Sequence, residues 1–475
     1  MTTNWRTKLA HPGPDLHVHL LGIGGVGLGP IAHMLLEMGV RISGSDRQRS
    51  ANTDRLAQAG AQVYIGQVAA NLTELPPAQR PDVVLISSAV AADNPERQAA
   101  VALGLPVVKR NDFLSTLLAR RKVIAIAGAH GKSTTTAMIV KVLREGGIDA
   151  GYIIGANLPG YGNAAAGRDD YFVIEADEYD YMFLGLKPAL AVITSVEWDH
   201  PDCYPTPESF HQAFAQFVAL VQPDGLVVSC ADDAGAEALR QGWTAERPTW
   251  LTYGLDELAH LRADDPQAEA GSGYGAELQL YNAPMGELKL RAPGLHNMRN
   301  ALAAVAVGCW CGVPVTESSR ILAEFGGVSR RFEIKGEVNG VVIIDDYAHN
   351  PTKIRAALAA ARAYYAERRI WAVVQPHTFS RTKELLPQLV QSFGDADNVL
   401  VTDIFAARER DTGLINSAQV VAASPHPAIQ HTPQLRDAVE RLAHDVRPGD
   451  VVITLGAGDS YKIGEMLMQE LRVSV

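Results

Sequence analysis

The chain has 475 residues, of which 47% are hydrophobic and 20% are charged. This length exceeds one ordinary domain of about 100–200 residues, and the apolar fraction excludes a chain that is disordered throughout. The formal charge of −11, with no block of basic residues, argues against nonspecific binding to nucleic acid. We therefore expect several folded domains and no nucleic-acid partner.

The four cysteines, Cys203, Cys230, Cys309 and Cys311, are too few for a disulfide framework and lack the spacing of a zinc site. We expect reduced thiols, with Cys309 and Cys311 buried in an apolar helix. Nowhere do about 18 apolar residues follow one another, so neither a transmembrane helix nor an export signal is predicted. We expect a cytoplasmic protein with no membrane insertion, present as a monomer or a homodimer.

The first region, residues 1–120, alternates short apolar runs with helical patterns. Strands are predicted at Leu16–Leu21, Val40–Ser43 and Val83–Ser87, and helices at Val26–Met38 and Pro95–Leu103. Strands that alternate with helices usually form a parallel sheet, so this region is predicted to be a Rossmann-like α/β domain.

A glycine-rich segment, Gly22-Ile23-Gly24-Gly25-Val26-Gly27, follows the first strand. Glycines let backbone amides approach a pyrophosphate, and the N-terminus of the next helix carries positive partial charge. Asp46 ends the second strand, near the ~20-residue separation at which an acid meets a ribose hydroxyl. The pattern predicts a site for a pyrophosphate and a sugar, which NAD, FAD and nucleotide-activated sugars share. A glycine turn that serves only packing is the alternative.

The second region, residues 121–326, is also predicted to be α/β with a parallel sheet. Strands are expected at Lys122–Ala127, Tyr171–Ile174, Ala189–Thr194 and Leu226–Ser229, and helices at Lys132–Glu145, Glu208–Val221 and Asn297–Gly308. The segments Ala276–Leu280 and Glu287–Leu290 are typical of a hairpin, with its turn at Pro284–Gly286.

The strongest motif is the loop Gly128-Ala129-His130-Gly131-Lys132-Ser133-Thr134, between a predicted strand and a predicted helix. Such a loop holds a triphosphate with its amides, while Lys132 neutralises the β- and γ-phosphates and the Ser133 hydroxyl binds Mg²⁺. The loop departs from the common spacing, because Ile126 occupies the position of the first glycine. A chance Gly-Lys-Ser at a strand end is the alternative.

Acidic residues follow two strands of this region, in Glu175-Ala176-Asp177-Glu178 and Glu197-Trp198-Asp199-His200. Side chains at the carboxyl ends of parallel strands meet at one edge of the sheet. Glu175 and His200 are therefore predicted to bind Mg²⁺ together with Ser133, although imidazole is an unusual magnesium ligand. A solvated acidic loop is the alternative for Asp177, Asp180 and Asp199.

The third region, residues 327–475, repeats the α/β pattern. Strands are predicted at Val341–Ile344, Ile370–Val374, Asn398–Val401 and Val451–Leu455, and helices at Thr352–Tyr364, Pro433–Ala443 and Tyr461–Leu471. We predict a Rossmann-like α/β domain here as well.

Together the motifs resemble those of the Mur ligase family of ATP-dependent amino-acid ligases, over essentially the whole chain. The resemblance rests on Gly22–Gly27 with Ser43–Asp46, Gly128–Thr136, Glu175–Glu178, Glu197–His200, His296–Ala301, Ser329–Glu333, Asp345–Pro351 and Gln375–Thr382.

The resemblance implies three domains: a UDP-sugar-binding domain (1–120), a central P-loop ATPase domain (121–326) and a C-terminal amino-acid-binding domain (327–475). It implies ligation of L-alanine to the lactyl carboxylate of UDP-N-acetylmuramate through an acyl phosphate, with ATP and Mg²⁺. This reaction belongs to peptidoglycan precursor synthesis.

The resemblance also implies roles for individual residues. The UDP-sugar residues are Gly22, Gly24, Gly25, Val26, Gly27, Asp46 and Ser87. The ATP residues are Gly128–Thr134, Asn297 and Asn300 near adenine, Arg331 at the phosphates and Asp346 at the ribose. His349, His377 and Arg381 would bind the amino acid, and the catalytic set is Lys132, Glu175, His200, Arg331, His377 and Arg381. Helix N-capping by Asn297 and Asn300, and a surface turn at His377 and Arg381, are the alternatives.

Some positions depart from the family pattern. Relatives that add later amino acids use a carbamylated lysine, whereas no lysine occurs between Lys187 and Lys289. Thr378 stands where some alanine-adding members have arginine, and Asn350 stands where a second histidine is common. A muropeptide-recycling ligase, an NAD-dependent dehydrogenase and a regulatory P-loop protein remain the competing hypotheses.

Overall fold

A computed structural model of the chain describes residues 5–269, 273–407 and 409–473. It consists of two compact units. Unit 1 comprises Met1–Leu261 and Ala303–Pro314, and unit 2 comprises Arg262–Leu302 and Val315–Val475. Both units are α/β structures built on mainly parallel sheets, which confirms the predicted fold class.

The first sheet of unit 1 belongs to the segment with α1 (Trp5–Leu9), β1 (His17–Leu21), α2 (Gly29–Glu37), β2 (Arg41–Asp46), α3 (Ala51–Gln58), β3 (Gln62–Ile65), α4 (Ala70–Thr73), β4 (Val83–Ile86), α5 (Pro95–Ala102), β5 (Val107–Lys109) and α6 (Arg110–Leu117). Its strands are all parallel, in the order β3-β2-β1-β4-β5. The winding reverses between β1 and β4, which opens a crevice at their carboxyl ends.

The second sheet of unit 1 belongs to the segment with β6 (Lys122–Ala127), α7 (Lys132–Glu145), β7 (Gly151–Leu158), β8 (Gly162–Ala165), β9 (Tyr171–Glu175), β10 (Leu190–Ile193), α8 (Pro207–Val218), β11 (Leu226–Cys230), α9 (Ala234–Gln241) and β12 (Thr249–Gly254). In this unit the strand order is β12-β11-β10-β6-β9-β7-β8, and only β7 and β8 pair antiparallel. Strand β6 lies in the middle and is buried from Val123 to Ala127, as its unbroken apolar run requires.

The remaining elements are β13 (Leu261–Glu269), β14 (Gly273–Leu280), β15 (Ala283–Leu290), α10 (Leu295–Cys311), α11 (Val315–Ala323), β16 (Glu333–Val338), β17 (Val341–Asp346), α12 (Pro351–Tyr364), β18 (Ile370–Val374), α13 (Phe379–Glu384), α14 (Leu386–Leu389), β19 (Asn398–Val401), α15 (Ser417–Ala423), β20 (Ile429–His431), α16 (Leu435–Asp445), β21 (Val451–Leu455) and α17 (Tyr461–Val473). The third sheet, in unit 2, has the order β16-β17-β21-β18-β19-β20, and only β16 is antiparallel to its neighbour.

Apolar clusters cover both faces of this third sheet. Ile370 and Val374 of β18 join the cluster that contains Leu358 of α12. Trp371 and Val373 point the other way and join the cluster of α16 and α17. Alternate strand residues therefore bury opposite faces, which explains why the strands of this region are apolar throughout.

Several predicted bounds are shifted in the structure, and two of the differences follow from turn geometry. Helix α2 begins at Gly29 instead of Val26, because residues 22–28 form successive turns and Pro30 lies in the first turn of the helix. The hairpin turn is at Tyr281 and Asn282, not at Pro284–Gly286. Both residues have positive φ, 49° and 64°, as a two-residue turn of type I′ requires.

Cys309 is exposed, so its predicted burial is wrong: it lies in the last turn of α10, where the helix reaches the surface. Cys311 is half-buried. All four cysteines are free thiols, as predicted. Among the described residues, no helix combines the length and apolar character that crossing a bilayer would require.

Candidate active site

The glycine segment after β1 lies against the ends of two neighbouring strands. The amides of Gly22 and Ile23 donate to the carbonyl of Ser45 at 2.8 and 3.1 Å. The amide of Gly24 donates to Oδ2 of Asp46 at 2.9 Å. Ser87 follows β4, and its Cβ lies 3.5 Å from the place of a Cβ on Gly22. The structure thus brings Gly22, Asp46 and Ser87 together at the crevice of the first sheet.

Gly22 has a φ of 88°, a left-handed conformation that favours glycine. Val26, at the tip of the segment, is 80% exposed. A Cβ on Gly27 would lie 3.0 Å from Nη1 of Arg110, the first residue of α6. Arg110 also pairs with Asp177 at 2.7 Å. Sequence reasoning missed Arg110, because nothing in its local pattern distinguishes it from a surface arginine.

The loop Gly128–Gly131 connects β6 to α7 and is held by residues after β10. The amide of Ala129 donates to the carbonyl of Ser195 at 3.1 Å, and the amide of His130 donates to its hydroxyl at 3.0 Å. Gly128 has a φ of 148°, and a Cβ there would lie 2.0 Å from Oγ1 of Thr194. A bound phosphate is therefore expected at the start of α7, beyond the left-handed Gly131, where the N-terminus of a helix favours an anion.

Lys132 begins α7 and forms an ion pair with Glu178. Its Nζ lies 3.0 and 2.8 Å from the two carboxylate oxygens, and it also bonds to the carbonyl of Gly128. The Glu178 side chain is only 2% exposed. Burial would raise the pKa of Glu178, but the ammonium of Lys132 and the nearby His200 lower it to about 2. Burial likewise opposes the charge of Lys132, and Glu178 holds the lysine pKa above its usual value. Both groups are charged at neutral pH.

The predicted metal ligands come from three places around this loop. Ser133 is the second residue of α7 and is buried, while Glu175 ends β9, in register with Ile126 of β6. Oε1 of Glu175 accepts the amide of Gly155 at 2.8 Å. Nε2 of His200 lies 3.4 Å from Oε1 of Glu178. Hydroxyl and carboxylate oxygens suit Mg²⁺, so Ser133 and Glu175 fit this ion better than His200 does.

Across the described residues, no group of three or more His, Cys, Asp or Glu side chains is arranged to hold a metal ion. The hydroxyl of Ser133 and any phosphate oxygens would have to complete such a site. The assignment of Ser133, Glu175 and His200 as magnesium ligands stays a prediction.

Asn297 and Asn300 lie inside α10 and are both 6% exposed. The side-chain amide of Asn297 donates to the carbonyl of Pro293 at 2.7 Å, and that of Asn300 donates to Oδ1 of Asn297 at 3.2 Å. Helix α10 begins at Leu295, so neither residue occupies the N-cap position, and the capping alternative is wrong.

Arg331 and Asp346 both adjoin Phe332 in unit 2, Arg331 along the chain and Asp346 through a hydrogen bond. The carboxylate of Asp346 accepts the amides of Phe332 and Ala348, each at 2.7 Å. Desolvation raises the pKa of Asp346, and Arg331 opposes this shift. The guanidinium of Arg331 lies 4.9 Å from the ring centre of Tyr347. The structure brings the predicted phosphate and ribose residues to the end of β17.

His349, His377 and Arg381 line one cavity, together with the apolar side chains of Ile354, Val374 and Leu389. The rings of His349 and His377 are 5.7 Å apart, and Nη1 of Arg381 lies 3.3 Å from Nδ1 of His377. Nδ1 of His349 donates to the carbonyl of Tyr347 at 2.8 Å. The structure thus brings together all three residues predicted to bind the amino acid, in a cavity with cationic and apolar walls.

Asn350 caps α12, since its side chain accepts the amide of Lys353 at 3.0 Å. This capping role explains why asparagine suits the position where histidine was noted as common.

Three family matches cover the chain in order. Residues 17–122 match the Mur ligase family catalytic domain, residues 126–308 the Mur ligase middle domain, and residues 330–458 the glutamate ligase domain of Mur ligases. The chain belongs to the Mur ligase family. The predicted family is confirmed, and this Mur ligase is accordingly an ATP-dependent ligase that forms a carbon–nitrogen bond.

Individual relatives agree with this membership. The UDP-N-acetylmuramate--L-alanine ligase of Desulforamulus reducens is 39% identical, with 97% of this chain and 98% of the relative covered. The enzyme of the same name from Paenarthrobacter aurescens is 40% identical over 96% and 97%. These relatives place the chain beside ligases whose names specify L-alanine.

Solved structures are similar too. The UDP-N-acetylmuramate-alanine ligase of Thermotoga maritima superposes with a TM-score of 0.81, at 25% identity over 97% of this chain and 100% of the other. A murein peptide ligase of Psychrobacter arcticus gives 0.71, at 27% identity over 96% and 99%. The fold is shared by both subgroups, and the alanine-adding structure is the more similar of these two.

Sequence reasoning also missed Glu178 as a partner of Lys132. The motif Glu175–Glu178 contains several acids, and only the first was chosen as functional. Glu178 lies three residues beyond the end of β9, and no local feature distinguishes it from the other acids of this motif.

Proposed function

We infer that this Mur ligase joins L-alanine to the lactyl carboxylate of UDP-N-acetylmuramate and converts ATP to ADP and phosphate. The observation that carries this inference is the likeness, over nearly the full length, to relatives named for that reaction. The site geometry supports it, because separate residue groups suit a pyrophosphate, a triphosphate and a small amino acid. The enzyme would act in the cytoplasm, in peptidoglycan precursor synthesis.

Activation of the sugar acid is the first chemical step. The lactyl carboxylate attacks the γ-phosphorus of ATP, ADP leaves, and an acyl phosphate forms. Lys132 would bind the phosphates of ATP, because these anions compete with Glu178 for its ammonium group. Arg331 would stabilise the negative charge on the phosphoryl group during its transfer. Activation is needed because oxide is a very poor leaving group from a carboxylate, whereas phosphate leaves readily.

Mg²⁺ would be held by Ser133 and Glu175, with His200 the weaker candidate, and when bound it would neutralise charge on the phosphates. The protein's own contribution is to keep these side chains fixed. The amide of Gly155 orients Glu175, and the buried position of Ser133 restricts its hydroxyl.

Amide formation is the second step. The uncharged amine of alanine attacks the acyl phosphate carbonyl, and the tetrahedral intermediate collapses with loss of phosphate, which takes up the proton released by the nitrogen. Arg381 would bind the alanine carboxylate, with His349 and His377 beside it. Ile354, Val374 and Leu389, which line the same cavity, would contact the methyl side chain. No covalent bond to the enzyme is required.

Purified protein with ATP, Mg²⁺ and UDP-N-acetylmuramate should release phosphate when L-alanine is added, and mass spectrometry should find the UDP-N-acetylmuramoyl-alanine product. Serine and glycine in the same assay would define the amino-acid preference. A tripeptide substrate used in place of alanine would indicate the recycling reaction, and ATP turnover without sugar or amino acid would indicate a regulatory ATPase. Binding of NAD would support the dehydrogenase hypothesis, which leaves Lys132 without a role.

A further inference from the structure

The amino-acid cavity is supported from outside by a segment that carries none of the residues assigned so far. We call Asp403–Ala407 and Glu409, which follow β19, the support loop; Arg408 lies outside the described residues. This loop lies against residues 376–380, which comprise part of the connection between β18 and α13, including His377, and the first two residues of α13.

The backbone of the support loop fixes His377 in place. The amide of Phe405 donates to the carbonyl of Pro376 at 2.8 Å, and the amide of Thr378 donates to the carbonyl of Phe405 at 2.9 Å. These bonds form a parallel bridge between His377 and Phe405. The ring of Phe405 also stacks on the imidazole, with centroids 5.7 Å apart and planes at 21°. Both the main chain and the ring of His377 are therefore restrained.

Glu409 supplies the cap of α13. Its Oε2 accepts the amides of Phe379 and Ser380 at 2.6 and 3.1 Å, and its Oε1 bonds to the Ser380 hydroxyl. The first amides of a helix lack partners within the helix, and the preceding residue usually caps them. Thr378 occupies that place but makes no side-chain capping bond.

The conformation of Thr378 explains why a distant cap is needed. Its φ of 63° and ψ of 145° lie in a region that residues with a side chain rarely adopt. Such a backbone persists only where its surroundings hold it. Here the support loop does so on the N-terminal side of α13, and the Thr382 hydroxyl bonds to the Thr378 carbonyl at 2.7 Å.

We propose that Glu409 is a positioning residue for the amino-acid substrate. By fixing the first turn of α13, it orients Arg381, the third residue of that helix, and keeps it beside His377 in the cavity. This proposal rests on the proposed function, because it assigns the cavity to the carboxylate of the amino acid. Glu409 does not touch the substrate and acts through the backbone of residues 378–381.

The test compares Glu409→Ala, Glu409→Gln and a matched control, Asn416→Ala, in the full chain. Asn416 caps α15 on the same connection, accepting the amide of Gln419 at 3.0 Å, and does not line the cavity.

We expect Glu409→Ala to raise the KM for L-alanine between about 10- and 100-fold, the size of effect that follows misplacement of a binding group. The KM values for ATP and UDP-N-acetylmuramate should not change. Glu409→Gln should give an intermediate KM, because its amide oxygen still accepts the α13 amides, and Asn416→Ala should behave like the unaltered enzyme.

Equal rises in all three KM values, or an unchanged KM for alanine, would show that Glu409 has only a structural role or none. If Glu409→Ala does not fold, an unchanged alanine KM in Glu409→Gln would overturn the proposal in the same way. The unaltered protein is assayed first, so failure of the proposed function appears there as an absence of alanine-dependent phosphate release. In that case, hydrogen exchange at the amides of Phe379 and Ser380 decides about the cap: exchange must be faster in Glu409→Ala, and unchanged exchange would refute it.

Discussion

Glu178 is a buried carboxylate that forms an ion pair with Lys132, the lysine at the end of the glycine loop. Lys132 and Glu178 are both largely removed from water, and each keeps the other charged. A buried ion pair adds little net stability, but removal of one member leaves an unpaired buried charge. The ion pair therefore keeps Lys132 protonated, near the position where phosphate is proposed to bind.

Glu178→Gln should lower the stability of the protein without nucleotide by about 3 kcal/mol, because the Lys132 ammonium loses its anionic partner. Thermal unfolding followed by circular dichroism measures the change. Glu237→Gln is the matched control, since Glu237 pairs with Arg240 on the surface of α9 and its loss should cost under about 1 kcal/mol. Equal melting temperatures for the two variants would contradict this account of the pair.

His17, in β1, is the clearest source of pH dependence in the first sheet. His17 is 7% exposed, and its Nε2 bonds to the Ser43 hydroxyl at 2.8 Å. Burial, reinforced by Arg41 and His19, lowers its pKa from 6.5 to about 4. The unfolded chain therefore takes up a proton between pH 6.5 and pH 4 that the folded protein does not, so stability falls as the pH is lowered through that window.

The loss attributable to His17 should reach about 3 kcal/mol near pH 4. His17→Gln should accordingly show a shallower decline of the melting temperature between pH 6.5 and pH 4 than the unaltered protein. Parallel declines would mean that His17 does not carry this part of the pH dependence.

At the scale of elements, the strength of the local sequence signal decides which strands, helices and turns could be predicted. The predicted bounds of β6 and α7 agree with the structure, because an unbroken apolar run and a Gly-Lys helix start are both strong local signals. Strand β7 was missed, since glycines interrupt its apolar pattern, and β16 was missed because it is a half-exposed antiparallel edge. The turn of the β14–β15 hairpin was misplaced, because Pro284 and Gly286 gave a stronger turn signal than Tyr281 and Asn282.

Gly128→Ala should lower nucleotide affinity by at least about 100-fold, because the added Cβ would collide with the Thr194 hydroxyl and displace the loop. Calorimetric titration with a nonhydrolysable ATP analogue measures the affinity. Gly147→Ala, after α7, is the control: Gly147 also has a positive φ, 90°, but nothing lies within 4 Å of a Cβ there. Normal nucleotide affinity in Gly128→Ala would show that the loop does not need its present shape.

At the scale of the whole molecule, the glycine segment predicted to bind the sugar nucleotide and the loop predicted to bind ATP follow strands of different sheets. The glycine segment Gly22–Gly27 belongs to the first sheet, and Lys132 follows the central strand of the second. The family matches fall on three successive ranges, while the predicted domain limits at residues 120 and 326 and the oligomeric state stay predictions. Binding of one substrate should therefore be separable from use of the next.

Lys132→Ala should abolish product formation and leave the affinity for UDP-N-acetylmuramate nearly unchanged, because the residues predicted to bind the sugar nucleotide follow strands of the first sheet. Titration calorimetry and product mass spectrometry measure the two quantities. Lys141→Ala, on the same helix α7 and paired with Glu145, should leave both unaltered. Substantial ligation by Lys132→Ala would remove that lysine from the mechanism.

The sequence by itself determined the α/β class and the family, because these depend on local apolar periodicity and on motifs that can be read along the chain. It also predicted two phosphate-binding segments from the spacing of their glycines. Only the tertiary structure decided the partners of the functional side chains. Glu178 reaches Lys132 over 46 residues, and Glu409 reaches α13 over 29. Contacts over such separations depend on which strands become neighbours, and no local pattern records that choice.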